Sequence, residues 1–300
     1  MTVNKQLPDV QDDVPQHPIR IDRVGVKNVK RRVIIEGPKG ELQFDVTIDA
    51  YVDLPIDKRG VHMSRNIMAF IEAIDAARLM VHPTVEKVLD KICDMLLEKH
   101  EYSSYAEVHA RTTYFYEEDF TGTSTSEAAD VEIKVFKSRD GITTYTTKVS
   151  VLGMTVCPCA QQVYSSIDNV SLPHAPSHTQ KAKLSISLTT RDGFVRIEKL
   201  IDVARRSFSS PTVSLLKKYD EYKLIKHAFK NPRFVEDVVR SALYQIYECF
   251  SKVLPGDTMV EVEILSYESI HPHDVYAHSK TTLEELGDEI KSNMVSEGCK

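Results

Sequence analysis

No stretch of the 300-residue chain approaches the roughly 18–20 continuous apolar residues that a membrane-crossing helix needs. The opening residues, MTVNKQLPDVQDDVPQHPIR, carry neither a basic leader segment nor an apolar one. Both absences argue against a membrane or secretory destination and point to the cytoplasm. Basic blocks are also missing. Lys and Arg total 38 against 44 Asp and Glu, a formal charge of −6, which argues against nucleic acid as the main partner and leaves room for a phosphorylated small molecule at a local cation cluster. Cysteine is scarce and odd in number: of five, only Cys157 and Cys159 lie close together, so a disulfide framework is excluded and a reducing compartment fits. With 42% hydrophobic and 27% charged residues, chain-wide disorder is excluded as well.

What is present is organised in two halves. Residues 1–19 are polar and contain proline, and read as a mobile arm. The runs RRVIIEG and LQFDVTIDAYVDL flank Gly37-Pro38-Lys39-Gly40 and predict a hairpin. Apolar spacings of three and four at Ile67, Phe70, Ile71 and Ile74 predict a helix; a second follows Pro83 with Val85, Val88, Leu89, Ile92 and Leu96 on one face. Alternation returns in SYAEVHARTTYFYEE, ADVEIKVFKS and GITTYTTKVSVLG, with Asp140-Gly141 as a turn between the last two. In the second half AKLSISLTT and FVRIEKLID predict strands around Arg191-Asp192-Gly193, residues 212–252 a helical region, and MVEVEILSYES a final strand. Val85-Glu86-x-Val88-Leu89 returns as Val235-Glu236-x-Val238-Val239, 150 positions later. That offset suggests a duplicated strand-strand-helix-helix-strand-strand unit, with units at 20–150 and 151–280 and a polar tail at 281–300. Antiparallel sheets with helices on one face leave edges and a bare face to be covered, which predicts an oligomer.

Three clusters suggest chemistry. Gly153-Met154-Thr155-Val156-Cys157-Pro158-Cys159-Ala160-Gln161 follows a strand and places two thiols two residues apart. In an extended chain both sulfurs face one side, and Pro158 stiffens the link. No second pair of closely spaced cysteines exists to complete a structural zinc knuckle. Leu172-Pro173-His174-Ala175-Pro176-Ser177-His178-Thr179-Gln180 presents two imidazoles at the entry to a strand, and Tyr267-Glu268-Ser269-Ile270-His271-Pro272-His273-Asp274 ends the last one. Thiolate, imidazole and carboxylate together suit zinc or iron(II) with a position left for water. Glu221 and Glu236 read from composition as solvated helix faces, and Glu236 gains from a helix N-terminus. Asp57-Lys58-Arg59-Gly60-Val61-His62-Met63-Ser64-Arg65-Asn66 brings cations and a histidine to a strand-to-helix junction, a plausible phosphate site or an ordinary basic loop. Cys93 and Cys249 are expected in the core and Cys299 in the tail, with His82, His100 and His227 on the surface.

The combination KRGVHMSRN, GMTVCPCAQ, HTQ, LLKKYDE, NPRFVEDVVR and ESIHPHDVYA, in that order across about residues 20–278, resembles the type IB GTP cyclohydrolases. The resemblance implies the α+β tunnelling fold, or T-fold, with two tandem antiparallel-sheet units per chain, each with a helix pair, assembled as a homotetramer. It implies GTP and water as reactants and one metal ion per subunit, iron(II) first with zinc or manganese as alternatives. The metal site would draw on Cys157, His178, Glu221, Glu268 and His271, with Cys159 as a further ligand or proton relay, and Glu236 would anchor guanine. From charge and position rather than from the resemblance, His62 or His178 is expected to act as general acid and Lys58, Arg59 and Arg65 to meet phosphate. The N-terminal IRIDRVGVKNVKRRV and the length look more like the archaeal branch, whose product is 7,8-dihydroneopterin 2',3'-cyclic phosphate, on the way to methanopterin-type or folate-type pterins. The alternatives are the bacterial-type product, dihydroneopterin triphosphate, and a non-catalytic nucleotide- or metal-binding protein of the same fold.

Overall fold

Apolar residues at every second position build the strands, and spacings of three and four build the helices that cover them. The computed structural model describes residues 9–37, 40–77, 84–120, 122 and 124–297. It packs as two units, Met1–Thr112 with Ile133–Tyr145 and Thr113–Glu132 with Thr146–Lys300.

In the first unit, β1 (Ile21–Gly37) and β2 (Gly40–Leu54) form an antiparallel hairpin closed at Gly37↔Gly40; Pro38 and Lys39 lie outside the described residues. Val46, Ile48, Ala50, Val52 and Leu54 alternate into the core. Helix α1 (Met63–Ala77) packs on β1 and on α2 (Val85–Lys99). The second helix starts at Thr84, whose hydroxyl accepts from Lys87 N at 3.3 Å; Pro83 and His82 are outside the described residues. Its buried face, Val85, Val88, Leu89, Ile92, Cys93 and Leu96, has the predicted spacing. Next come β3 (Tyr105–Glu118), paired with β2, then β4 (Thr125–Ser138) and β5 (Thr143–Val156). The turn between the last two holds Gly141 at φ 94°, the left-handed region that favours glycine.

The second unit continues with α3 (Pro158–Asp168), β6 (Thr179–Thr190), α4 (Ile197–Ser207), the two-residue β7 (Ser210–Pro211), α5 (Lys218–Lys230) and α6 (Val235–Phe250). It ends with β8 (Met259–Tyr267), β9 (Val275–Thr282) and α7 (Leu283–Glu297). Its strands run in the order β5-β6-β8-β9, with β7 paired to β5. The buried stripe Val235, Val238, Val239, Ala242, Ile246 and Phe250 of α6 packs over β8, whose Val260, Val262 and Ile264 are fully buried. Gly153 of β5 pairs with Pro211, and a Cβ there would lie 2.2 Å from the Phe208 ring, so only glycine lets that ring close over the strand.

Several expectations are corrected. FVRIEKLID is not a strand: Ile197–Ser207 is helical because Leu200, Ile201, Val203, Ala204 and Ser207 bury one face at helical spacing. The tail is not bare, since α7 buries Leu283 and Leu286, although Cys299 lies outside the described residues. The N-terminal arm, from residue 9, docks on the loop before α1 through Arg59 N and Gly60 N, which donate to Gln11 O at 3.1 and 3.2 Å. Cys93 is buried as expected, but Cys249 faces solvent on α6. His100 is fully buried because Asn66 and Tyr102 receive its ring, which its polar neighbours in sequence do not reveal.

Candidate active site

The three clusters with metal-ligand chemistry all belong to the second unit. Cys157 follows β5 and caps α3, its Sγ accepting from Ala160 N at 3.5 Å with Pro158 as the first helical residue. Both thiols were expected to face one side of an extended chain. Instead Cys159 sits in the first helical turn and is exposed, while Cys157 is half-buried, because a proline after a capping residue starts a helix rather than extending a strand.

Backbone bonds join Cys157 to the loop before β6: Cys157 N donates to His178 O at 3.2 Å and Ser177 Oγ to Cys157 O at 2.6 Å. His178 Nδ1 bonds Gln180 Oε1 at 3.0 Å. With an amide oxygen as its partner Nδ1 carries the proton, which leaves the Nε2 lone pair free for a metal. The β6–β8 register runs to Lys181↔Tyr267, so residues just before Lys181 and just after Tyr267 emerge at the same end of the sheet. Glu268 is there, half-buried, with Oε1 accepting from the buried Ser266 hydroxyl at 2.8 Å and Oε2 available. His271 and His273 are exposed and their rings stack at 5.2 Å, so Pro272 does not hold them on opposite sides.

Glu221 and Glu236 stand exposed on the first turns of α5 and α6. Among the described residues, Cys157, Cys159, His178, Glu221, Glu268 and His271 do not bring three ligand atoms within 4.8 Å of one another. Among the described residues the only such group is Asp9, Asp12 and His62, all in the first unit.

That unit holds the cationic loop. Lys58 Nζ bonds Asp12 Oδ1 at 2.8 Å, Arg59 faces Asp13 at 3.6 Å, and His62 Nε2 lies 3.6 Å from Asp9 without a hydrogen bond. Arg65 instead donates to Lys99 O at 3.1 Å and so braces the loop against the end of α2. Beneath it His100 Nε2 bonds Asn66 Oδ1 at 2.6 Å and Nδ1 bonds the Tyr102 hydroxyl at 3.0 Å. Burial, followed by the charges of Arg65 and His62, pushes the His100 pKa down to about 4. Between an unfolded value near 6.5 and that value, the unfolded chain binds a proton that the folded one refuses. Stability is therefore expected to be full above pH 6.5 and to fall on the order of 3 kcal/mol as pH drops towards 4. A His100→Gln variant measured by urea unfolding across pH 4–7 should lose that part of the slope; an unchanged slope would exclude His100 as its source.

A family model for type I GTP cyclohydrolase folE2 matches residues 7–277. The chain belongs to that family. Relatives of this GTP cyclohydrolase include "GTP cyclohydrolase MptA" of Aeropyrum pernix, 42% identical over 279 residues, covering 93% of this chain and 97% of the relative. The protein of the same name from Methanospirillum hungatei is 35% identical over 315 residues, covering 96% and 94%. Among solved structures, uricase from Arthrobacter globiformis superposes with a TM-score of 0.51 at 8% identity, covering 87% of this chain and 93% of that one. A urate oxidase mutant from Bacillus sp. TB-90 gives 0.51 at 10% identity, covering 87% and 100%. At such identities they show the fold alone, the tunnelling fold. Within the GTP cyclohydrolase framework, the motifs single out Cys157, His178 and Glu268 but not the hydrogen-bond partners of the latter two. Gln180 and Ser266 each sit two residues from the group they hold, the spacing that puts side chains on one face of a strand.

Proposed function

We propose that this GTP cyclohydrolase is metal-dependent, with iron(II) as its ion, and that its product is 7,8-dihydroneopterin 2',3'-cyclic phosphate for methanopterin-type or folate-type pterins. The observation that carries the metal reading is that the segments bearing a thiol, an imidazole and a carboxylate, Cys157, His178 and Glu268, lie at one end of the second unit's sheet. His178 and Glu268 are each oriented by a neighbour that engages one of two ligand atoms, and the Cys157 sulfur is positioned by the Ala160 N–H at the start of α3. This donor set fits a borderline metal such as iron(II), zinc or manganese. Glu221 and His271 complete the ligand set in this reading, and a homotetramer supplies the closure that one chain lacks. When bound, iron(II) supplies the acidity that makes water a nucleophile at neutral pH.

The remaining roles belong to side chains. Glu236 carries an exposed carboxylate whose two oxygens accept the ring N–H and the amino group of guanine in a bidentate pair. Cys159, exposed in the first turn of α3, relays a proton, and His62 serves as the acid that protonates the imidazole ring of guanine as it opens. Formate leaves, the free amine closes on the rearranged ribose with loss of water and without a redox step, and the hydroxyl next to the phosphorylated carbon attacks the α-phosphorus, closing the cyclic phosphate as diphosphate leaves. Lys58, Arg59 and Arg65 bind the phosphate chain.

The test is anaerobic incubation of metal-stripped protein with GTP plus iron(II), zinc(II) or manganese(II) in parallel, following formate and identifying the pterin by mass. Formate and a cyclic phosphate under iron(II) are expected. A triphosphate product would move the chain to the bacterial-type reaction, and formate release undiminished after metal removal would overturn the metal reading.

A further inference from the structure

Three carboxylates of one short segment face three cationic or basic groups of one loop. Asp12 bonds Lys58 at 2.8 Å, Asp13 faces Arg59 at 3.6 Å and Asp9 lies 3.6 Å from His62. The backbone fixes this register: Arg59 N donates to Gln11 O at 3.1 Å and to Asp13 O at 2.9 Å, and Gly60 N donates to Gln11 O at 3.2 Å. A Cβ on Gly60 would already touch the Gln11 side chain at 3.4 Å, so the arm lies close against the loop. A chain of phosphates presents the same pattern, anionic oxygens spaced a few ångströms apart and seeking Lys and Arg.

We propose that Asp12 and Asp13 are specificity-determining residues that occupy Lys58 and Arg59 as an internal substitute for phosphate, so that the arm and the triphosphate of GTP compete for the same two cations. The proposal rests on the reading that Lys58 and Arg59 bind the phosphate chain. Asp12, Asp13 and Arg59 are more than half exposed and Lys58 about a quarter, so both pairs exchange readily with a more highly charged ligand. Asp12 is held below the usual carboxylate range by its bond to Lys58 and Lys58 is raised by the same bond, so both stay ionised throughout the neutral range. A ligand that never reaches these cations, such as guanosine, displaces nothing. The arm therefore acts on the phosphate chain alone: it lowers the enzyme's preference for the triphosphate over the bare nucleoside.

The test compares the full-length enzyme with Asp12→Asn/Asp13→Asn, reading KM for GTP and the inhibition constants of inorganic tripolyphosphate and of guanosine at low ionic strength. KM for GTP and the tripolyphosphate constant are expected to fall together, by roughly three- to tenfold, with the guanosine constant unchanged. The gain should shrink as salt is added. Asp57→Asn removes a neighbouring exposed charge that acts on Lys58 through space but, among the described residues, forms no ion pair with it, and separates competition from general repulsion. An equal fall in KM with Asp57→Asn overturns the proposal. So does an unchanged KM in the Asp12/Asp13 variant while Lys58→Ala/Arg59→Ala raises it, which leaves the phosphate reading standing. If Lys58→Ala/Arg59→Ala also leaves KM unchanged, the phosphate reading and the proposal fall together.

Discussion

A Glu236→Gln enzyme is expected to fold like its parent and to lose roughly 10²–10³-fold in kcat/KM for GTP. The folding half follows from position. Glu236 is exposed on the first turn of α6, and its neighbour Asp237 already bonds Phe234 N at 3.0 Å, so the start of the helix keeps its cap. Neutralising one carboxylate near a helix N-terminus costs about 0.3–1 kcal/mol. The catalytic half follows from hydrogen-bond chemistry. A carboxylate accepts two donors side by side, whereas an amide of the same shape offers one acceptor and turns its own N–H₂ towards a donor. Losing one charged hydrogen bond and leaving a donor opposed costs about 3–4 kcal/mol. A second readout isolates the guanine contact. Inosine triphosphate lacks the exocyclic amino group, so the parent should favour GTP over it and the variant should favour it much less. An unaltered GTP-to-inosine-triphosphate ratio in Glu236→Gln would show that the base is anchored elsewhere.

The elements that sequence periodicity placed well are those whose burial is one-sided. Strand β2 alternates from Phe44 to Leu54 and α2 repeats at three and four, so each pattern has a single explanation. The beginning of α4 deceived because Phe194, Val195 and Ile197 follow an Asp-Gly turn with strand-like residues, and the helical stripe appears only from Leu200 onward. Pro158 deceived for a related reason: the same residue stiffens an extended link and opens a helix, and only the cap on Ala160 N decides between them. The thiol, imidazole and carboxylate motifs of the second unit lie beside strand ends in the sequence reading and in the structure alike. The acidic partners of the cationic loop were invisible in sequence, since Asp12 meets Lys58 across 46 positions and nothing local to either predicts the pairing. His100 is the same case: burial holds its pKa down, and the Asn66 that receives its ring lies 34 positions away.

Cys157→Ser is expected to separate folding from metal binding at the CPC junction. Serine is a strong helix-capping residue, and its shorter, more electronegative oxygen can receive Ala160 N at least as well as a sulfur 3.5 Å away. The start of α3 should therefore be retained, and the thermal midpoint should stay within a few degrees of the parent. The bonds from Cys157 N to His178 O and from Ser177 Oγ to Cys157 O involve only backbone atoms of residue 157, so the loop carrying His178 should also stay in place. On the metal reading proposed above, the substitution removes a sulfur ligand, and a hydroxyl is a poor ligand for a borderline metal at neutral pH. Loss of a direct ligand should exceed the roughly 10–100-fold that loss of an orienting partner costs in metal affinity or activity. Metal content after desalting and formate release should thus both fall by more than about 100-fold. Gln180→Ala, which removes only the partner of His178 Nδ1, should fall within that smaller range. Cys159→Ser is the necessary companion. If it strips the metal while Cys157→Ser keeps it, the exposed thiol is the ligand and Cys157 is only the cap. If both keep metal and lose turnover, the pair moves protons and the ion is held by imidazole and carboxylate alone.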